Sequence, residues 1–136
     1  MATITAVRDA LADTLNIAGL TVYAFTPDNL AVPAAVILPD EAAPSANARG
    51  VDTIRYRIKV LVNRNEGRAA ALLLDAYLAS SGTKSLRALL HATPGLGLAG
   101  THARYTGWEN YGEQIWNDLS YLAADLLVTV ETGGTA

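Results

Sequence analysis

The chain has 136 residues, of which 51% are hydrophobic and 17% charged, with a net charge of −3 and no cysteine. This length fits one domain, and the lack of cysteine excludes disulfides and thiolate metal sites. No apolar run approaches the roughly 18 residues of a membrane-spanning helix. Charged residues such as Arg8 and Asp9 stand where a secretory segment would be apolar, so we expect a cytosolic protein.

The fraction of apolar residues is above that of ordinary soluble domains, which favours an oligomer. A monomer of this size must cover its surface with polar groups, so the additional apolar surface would face other subunits. Alanine weakens this inference, since it makes up 25 of the hydrophobic residues and is easily exposed. The charges are also uneven. Residues 49–68 contain six basic and two acidic residues, whereas residues 109–131 contain five acidic and none that is basic. These segments could pair within the fold or across a subunit boundary, and the low net charge disfavours wholesale nucleic-acid binding.

The first part of the chain predicts a helix, two short strands and a loop. Apolar residues recur at helical spacing from Ile4 to Leu15, with Thr3 available as the N-cap. Residues 20–25 form a β-prone run, and residues 34–38 form a second one between two prolines, which should end that strand. Residues 40–50 have no periodicity and predict a mobile surface loop.

The middle of the chain predicts a strand followed by a helix. Residues 53–63 alternate between an apolar side and a side that is basic in its first half, where Arg55, Arg57 and Lys59 lie. Residues 66–80 have helical spacing, with one apolar stripe that includes Leu72. Leu74 and Leu78 lie outside that stripe, so they must be buried against a second element. Either the short helix that follows folds back over them, or another subunit contacts them.

The last part predicts a short helix over 86–90, a mixed strand over 98–108, a turn over 109–112, a strand over 120–130 and a flexible tail over 132–136. In the final strand, Leu122, Leu126 and Val130 share one face. We therefore predict one α+β domain over residues 1–131, with a mainly antiparallel sheet and helices packed on one side.

Candidates for chemistry are few. His91 and His102 lack a second ligand at metal spacing. The glycines of residues 95–100 spell G-x-G-x-x-G, but they follow a helix and precede a strand, so a flexible turn is the better interpretation. Five aromatic residues lie between Tyr105 and Tyr121, and they could pack in a core and an interface or stack on nucleic-acid bases. We favour packing, because base stacking would require basic residues among them and only Arg104 lies near. We predict no catalytic, cofactor-binding or metal-binding residue.

The order of elements, together with several segments, resembles the tail terminator (tail completion) proteins of long-tailed bacteriophages. The resemblance extends from about Val7 to Val130. Its segments are VRDALADTL, GLTVYAF, VPAAVILPD, YRIKVLV, EGRAAALLLDAYL, SLRALL and SYLAADLLVTV. Head-closure and head-tail connector proteins of the phage neck have similar size and composition.

The resemblance implies a structural virion protein without enzymatic activity or cofactor, assembled in the host cytoplasm and located in the tail or neck. Such proteins form a ring, typically of six subunits, that caps the tail tube. The ring stops tube polymerisation and presents a docking surface to the head connector. Its partners would be further copies of the chain, the tail tube protein and the connector or head-closure protein, and not a membrane.

A head-to-tail ring uses two different surfaces of each subunit, which a basic and an acidic patch could supply. Basic side chains could instead face the lumen, near passing genomic DNA. The candidate interface or lumen residues are Arg49, Arg55, Arg57, Lys59, Leu74, Leu78, Glu109 and Glu113. The alternatives are another neck component, a tube subunit, or a small ligand-binding domain or enzyme that uses His91 or His102 beside Asp118 or Asp125.

Overall fold

The computed structural model describes residues 4–17, 19–25, 31–43, 51–63, 67–98, 101–116 and 118–133. The elements of these residues are, in order, α1 (Ile4–Thr14), β1 (Thr21–Tyr23), β2 (Ala34–Ala43), β3 (Val51–Val62), α2 (Arg68–Leu78), α3 (Leu86–Ala92), β4 (Thr101–Trp116) and β5 (Leu119–Gly133). The strands form one mixed sheet in the order β1-β2-β3-β5-β4, in which β1 and β2 run parallel and the other described pairs antiparallel. This confirms the predicted α+β fold.

All three helices pack on one face of the sheet. The helical spacing of α1 places Val7, Leu11 and Leu15 in the core, where each is fully buried. The predicted alternation of β3 and β5 is also confirmed, because their apolar sides face the helices. That layer contains Ile54, Tyr56, Ile58, Val60, Val62, Leu122, Ala124, Leu126, Val128 and Val130. Among the described helices, none has the length and hydropathy to cross a membrane.

The buried side of α2 overlaps the predicted one only in part, because Tyr77 of the predicted stripe is buried and Leu73 packs against the core, but Leu72 does not. Leu74 is fully buried and Leu78 is nearly so, whereas Leu72 is 54% exposed. Both buried leucines belong to the core that α3 shares, so the prediction of Leu74 and Leu78 as interface residues is wrong. The rotation of the helix relative to the sheet, which no local pattern specifies, turns the side with Leu74 and Tyr77 toward the core and leaves Leu72 outside it.

β2 and β3 form an antiparallel pair, and both strands are longer than predicted. β2 continues through Pro39 to Ala43, and β3 begins at Val51. Pro39 does not end the strand because the register shifts between Pro39 and Glu41, and a proline is tolerated at such an irregularity. Residues 40–43 of the predicted mobile loop are therefore strand, and residues 44–50, with Arg49, lie outside the described residues.

β4 continues through the segment that was predicted to be a turn. Glu109 pairs with Asp125 and Gly112 with Ala123, so two residues of β4 lie opposite one residue of β5. The first of the two, Asn110, has a φ of 59°, a left-handed conformation that asparagine tolerates. The turn-forming residues of 109–112 thus mark a β-bulge within one long strand, and the chain reverses direction only after Trp116.

Two other predictions meet the limits of the described residues. β5 reaches Gly133, so residues 132 and 133 of the predicted tail are strand, and residues 134–136 lie outside the described residues. Thr3, the predicted N-cap of α1, also lies outside it.

Candidate functional site

The sheet face opposite the helices, which we call the open face, carries a small apolar cluster. Val36, Leu61 and Ala123 are fully buried at its centre. Partly buried side chains pack against them, namely Tyr23, Val32, Leu38, Trp116 and Tyr121. Trp116 and Tyr121, two of the five late aromatic residues, thus contribute to packing, as predicted, but they do so on the open face of the sheet.

Next to this cluster the open face is charged. Strand alternation places Arg55, Arg57 and Lys59 of β3 on this face. The register then sets Lys59 opposite Asp125 of β5, and Asp125 opposite Glu109 of β4. The basic middle and the acidic end of the sequence therefore meet within one chain, across three adjacent strands.

Close polar contacts join these side chains. Arg57 Nη1 donates to Glu109 Oε1 at 2.6 Å and to Asp125 Oδ2 at 2.9 Å. Lys59 Nζ lies 3.2 Å from Asp125 Oδ1 and also donates to the amide oxygen of Gln114. Asn110 Nδ2 donates to Asp125 Oδ2 at 3.0 Å. We call this group the Asp125 network, which consists of Arg57, Lys59, Glu109, Asn110, Gln114 and Asp125.

Asp125 is charged although its residue is only 1% exposed. Burial raises the pKa of a carboxyl group, but hydrogen bonds from Asn110 and Arg57 and the charge of Lys59 outweigh this effect. The pKa of Asp125 therefore lies below its ordinary value. Of the two predicted alternatives for the charged segments, pairing within the fold is the one that the structure shows for Arg57, Lys59 and Glu109.

Of the other predicted charged residues that the structure describes, Arg55 lies on the same face as this network and Glu113 on the opposite face. Arg55 lines a cleft of about 450 Å³ on the open face, together with Arg57, Arg104 and Glu109. Glu113 is opposite Leu122 in the register, so it lies on the helix-bearing face. Of the predicted charged residues that the structure describes, Glu113 is thus separated from Arg55, Arg57, Lys59 and Glu109, which share the open face.

Both histidines line one cavity of about 550 Å³ between α3 and β4. Neither Asp118 nor Asp125 lines it, so the histidine–aspartate pair of the alternative enzyme hypothesis does not form there. The described residues also contain no group of three or more metal-ligating side chains. The glycine-rich segment before β4 is a turn at Gly95 and Gly97, as its position after a helix predicts.

Large apolar side chains are exposed on the helix-bearing side. Trp108 is 49% exposed, and its ring centroid lies 5.8 Å from that of Tyr111. The Tyr111 hydroxyl donates to Asp75 Oδ1 of α2 at 2.8 Å. Burial, followed by this hydrogen bond and the charge of Asp75, raises the pKa of Tyr111 to about 12. Leu72 lies one helical turn before Asp75, and we call Leu72, Trp108 and Tyr111 the α2–β4 apolar surface.

A second exposed apolar group lies at the tip of the hairpin formed by β4 and β5. Ile115 is 73% exposed and Leu119 is 60% exposed, on either side of the chain reversal. We call these two residues the hairpin tip. Both strands extend there beyond the part of β5 that pairs with β3, which ends at Leu122.

Sequence reasoning missed the polar partners of the Asp125 network and the exposed surface around Trp108. A signal for the first was present, since Asp125 is the single charged residue in the run from Tyr121 to Val130. A lone charge in the middle of a buried strand requires partners on the neighbouring strands. The sequence around Trp108 carries no comparable signal of exposure. Its exposure depends on the position at which α2 packs on the sheet.

The sequence matches no protein-family profile, and no curated protein is significantly similar to it.

Proposed function

We propose that this protein is a structural virion subunit resembling phage tail terminators, which closes with copies of itself into a ring. The ring would cap the tail tube, stop its polymerisation and offer a docking surface to the head connector. The observation that carries the proposal is the exposure of large apolar side chains on the α2–β4 apolar surface and at the hairpin tip. Such exposure is typical of subunit contacts.

The two exposed groups suit a ring because head-to-tail contacts use two different surfaces of each subunit. The α2–β4 apolar surface lies beside a helix, whereas the hairpin tip projects from the end of the sheet. Charge is a weaker candidate for the contact than the sequence indicated. Arg57 and Lys59 are already paired with carboxylates of their own subunit.

The form of the assembly separates this proposal from its neighbours in the virion. A tube subunit should make open-ended stacks, whereas a terminator should stop at one closed ring. A head-closure or connector protein would also form a ring, but it would not halt the growth of tube protein.

The test is the mass of the purified protein by native mass spectrometry, followed by electron microscopy of the assembled material. We expect a discrete oligomer that forms rings, and shorter tubes when it is mixed with the tube protein of the same virus. Trp108→Ser should shift the mass toward the monomer. Trp108→Phe, the matched control, keeps an aromatic ring and should retain the oligomer.

A protein that stays monomeric at all concentrations would refute the proposal. Saturable conversion of a small molecule by such a monomer would favour the enzyme alternative instead. Rings that leave tube length unchanged would contradict the terminator role and favour another neck component.

A further inference from the structure

A pocket of about 460 Å³ lies between the end of α2 and the bulge of β4. Its lining residues are Asp75, Leu78, Ala79, Trp108 and Tyr111. Asp75 and Leu78 are one helical turn apart on α2, so they share one side of that helix. Trp108 pairs with Leu126 of the core layer, and the Tyr111 hydroxyl reaches α2, so both rings lie on the helix-bearing face. The five residues therefore border one space on one face of the sheet.

The lining combines two aromatic rings with one carboxylate. The ring centroids of Trp108 and Tyr111 are 5.8 Å apart, and the ring planes are tilted by 57°. The Tyr111 hydroxyl donates to Asp75 Oδ1 at 2.8 Å, which places the carboxylate beside the tyrosine ring. Aromatic rings and carboxylates both attract cations. In the part of the chain that the structure describes, no lysine or arginine pairs with Asp75.

The shape and the carboxylate indicate which cation fits. Trp108 is 49% exposed and Tyr111 is 38% exposed, so the pocket is shallow and suits the end of a side chain better than a whole enclosed molecule. Arginine pairs best with both oxygens of a carboxylate, but Asp75 Oδ1 already accepts the Tyr111 hydroxyl. A lysine ammonium is a compact charge that needs only the other oxygen, and its aliphatic stem can lie along Leu78 and Ala79.

We propose that this pocket binds the ammonium group of a lysine side chain on a partner polypeptide. The ammonium lies against the Trp108 ring and pairs with Asp75, and the stem of the lysine packs on Leu78. All lining residues belong to one chain, so this site goes beyond the proposed ring and does not require it.

The test uses the full chain, diluted until native mass spectrometry shows a monomer, so that contacts between copies do not cover the pocket. Two short blocked peptides are titrated. One has a central lysine, and the other has norleucine there, which keeps the carbon stem without the ammonium. Binding is followed by NMR, through the Trp108 indole N–H signal and the side-chain signals of the peptides.

We expect the lysine peptide to bind about tenfold more tightly than the norleucine peptide, because only the ammonium gains from the ring and the carboxylate. Asp75→Asn keeps an oxygen that can accept the Tyr111 hydroxyl but removes the charge. It should weaken binding of the lysine peptide about threefold and leave the norleucine peptide unaffected. Trp108→Leu keeps an apolar side chain without the ring, and the two peptides should then differ by less than about threefold.

Asp13→Asn is the matched control for Asp75→Asn. It removes the same charge from an exposed position on α1, outside the pocket, and should leave both affinities unchanged. Equal affinities of the two peptides for the wild type would overturn the proposal, as would an unchanged preference for lysine in both Asp75→Asn and Trp108→Leu. Tighter binding of the matching arginine peptide would overturn the selection of lysine.

The source of the lysine is tested separately. Lys84 is exposed between α2 and α3, so Lys84→Gln should lower the oligomer mass if the partner polypeptide is a second copy, and leave it unchanged if it is a different protein. The proposed ring and this pocket also fail independently. A permanent monomer that prefers the lysine peptide would refute the ring alone, whereas rings built from a chain that does not distinguish the peptides would refute the pocket alone.

Discussion

Asp125 determines which charges of the open face are available to a partner. Its carboxylate is buried between β3 and β4 and engages Arg57, Lys59 and Asn110. A buried carboxylate without such partners would be strongly destabilising. The polar side chains around Asp125 are therefore part of the folded structure of one chain. They stabilise the charge of the Asp125 carboxylate.

Asp125→Asn should destabilise the protein by about 2–4 kcal/mol, because it leaves two partly buried cations without their shared carboxylate. The free energy of unfolding in urea measures this change. Glu131→Gln is the control, since it breaks only the exposed pair with Arg104, and it should cost no more than about 0.5 kcal/mol. Equal effects of the two substitutions would show that the Asp125 network adds little to stability.

The same carboxylate predicts a pH dependence. The pKa of Asp125 is lowered on folding, so its stabilising contribution is present above its ordinary pKa of 3.8 and is lost as the pH falls through the lower, folded value. The difference in unfolding free energy between wild type and Asp125→Asn should thus stay constant from about pH 7 to pH 5 and narrow in more acidic solution. A difference that disappears already near pH 6 would contradict the lowered pKa.

At the scale of elements, α2 shows how two apolar stripes on one helix can take different roles. Leu74→Ala should cost about 3 kcal/mol in unfolding free energy because it leaves a cavity in the core. Leu72→Ala should change the stability of the isolated subunit by less than about 0.5 kcal/mol. Urea denaturation of the two variants measures both losses. A larger loss of stability for Leu72→Ala than for Leu74→Ala would indicate that the side of α2 with Leu72 is the buried one.

The bulge in β4 can be tested at Asn110, whose φ is 59°. Asn110→Gly and Asn110→Ala both remove the hydrogen bond to Asp125, but only alanine places a Cβ in the left-handed conformation. We expect the alanine variant to be about 1 kcal/mol less stable than the glycine variant by thermal or urea unfolding. Equal stabilities would mean that the bulge relaxes to another backbone conformation.

The elements that were predictable are those with strong periodicity. α1, the apolar sides of β3 and β5, and the short α3 follow from spacing alone. The extension of β2 past Pro39 and the passage of β4 through residues 109–112 did not follow, because the same residues favour turns and bulges. Which of the two occurs depends on pairing with a strand distant in the sequence.

At the scale of the whole molecule, the proposed ring contacts lie on exposed apolar surfaces and not on charged ones. If the ring is joined through the α2–β4 apolar surface and the hairpin tip, its mass should be unchanged or increased in 1 M NaCl, about the salt at which charge attraction is screened beyond 3 Å. Sedimentation velocity at low and high salt measures this. Dissociation in 1 M NaCl would indicate that charged residues make the contact between copies.

The candidate sites were only partly predictable, because they depend on tertiary placement. Sequence identified Arg57, Lys59 and Glu109 as a set, but pairing inside the subunit required the register of β3, β5 and β4. His91 and His102 were separate candidates until the contact between Pro94 and Ala103 brought their elements together. No local pattern specifies such a contact.

The outer border of the sheet at β4 has a further consequence for assembly. β4 has 16 residues and is the last strand of the sheet that the structure describes, and a long edge strand with regular spacing can recruit a further strand and so promote fibre growth. Shifts of register after Tyr105 and after Glu109 break the regular spacing of its amide groups. That border is therefore a poor template for fibre growth, and in the proposed ring the copies would meet through side chains, in contacts that can close on themselves.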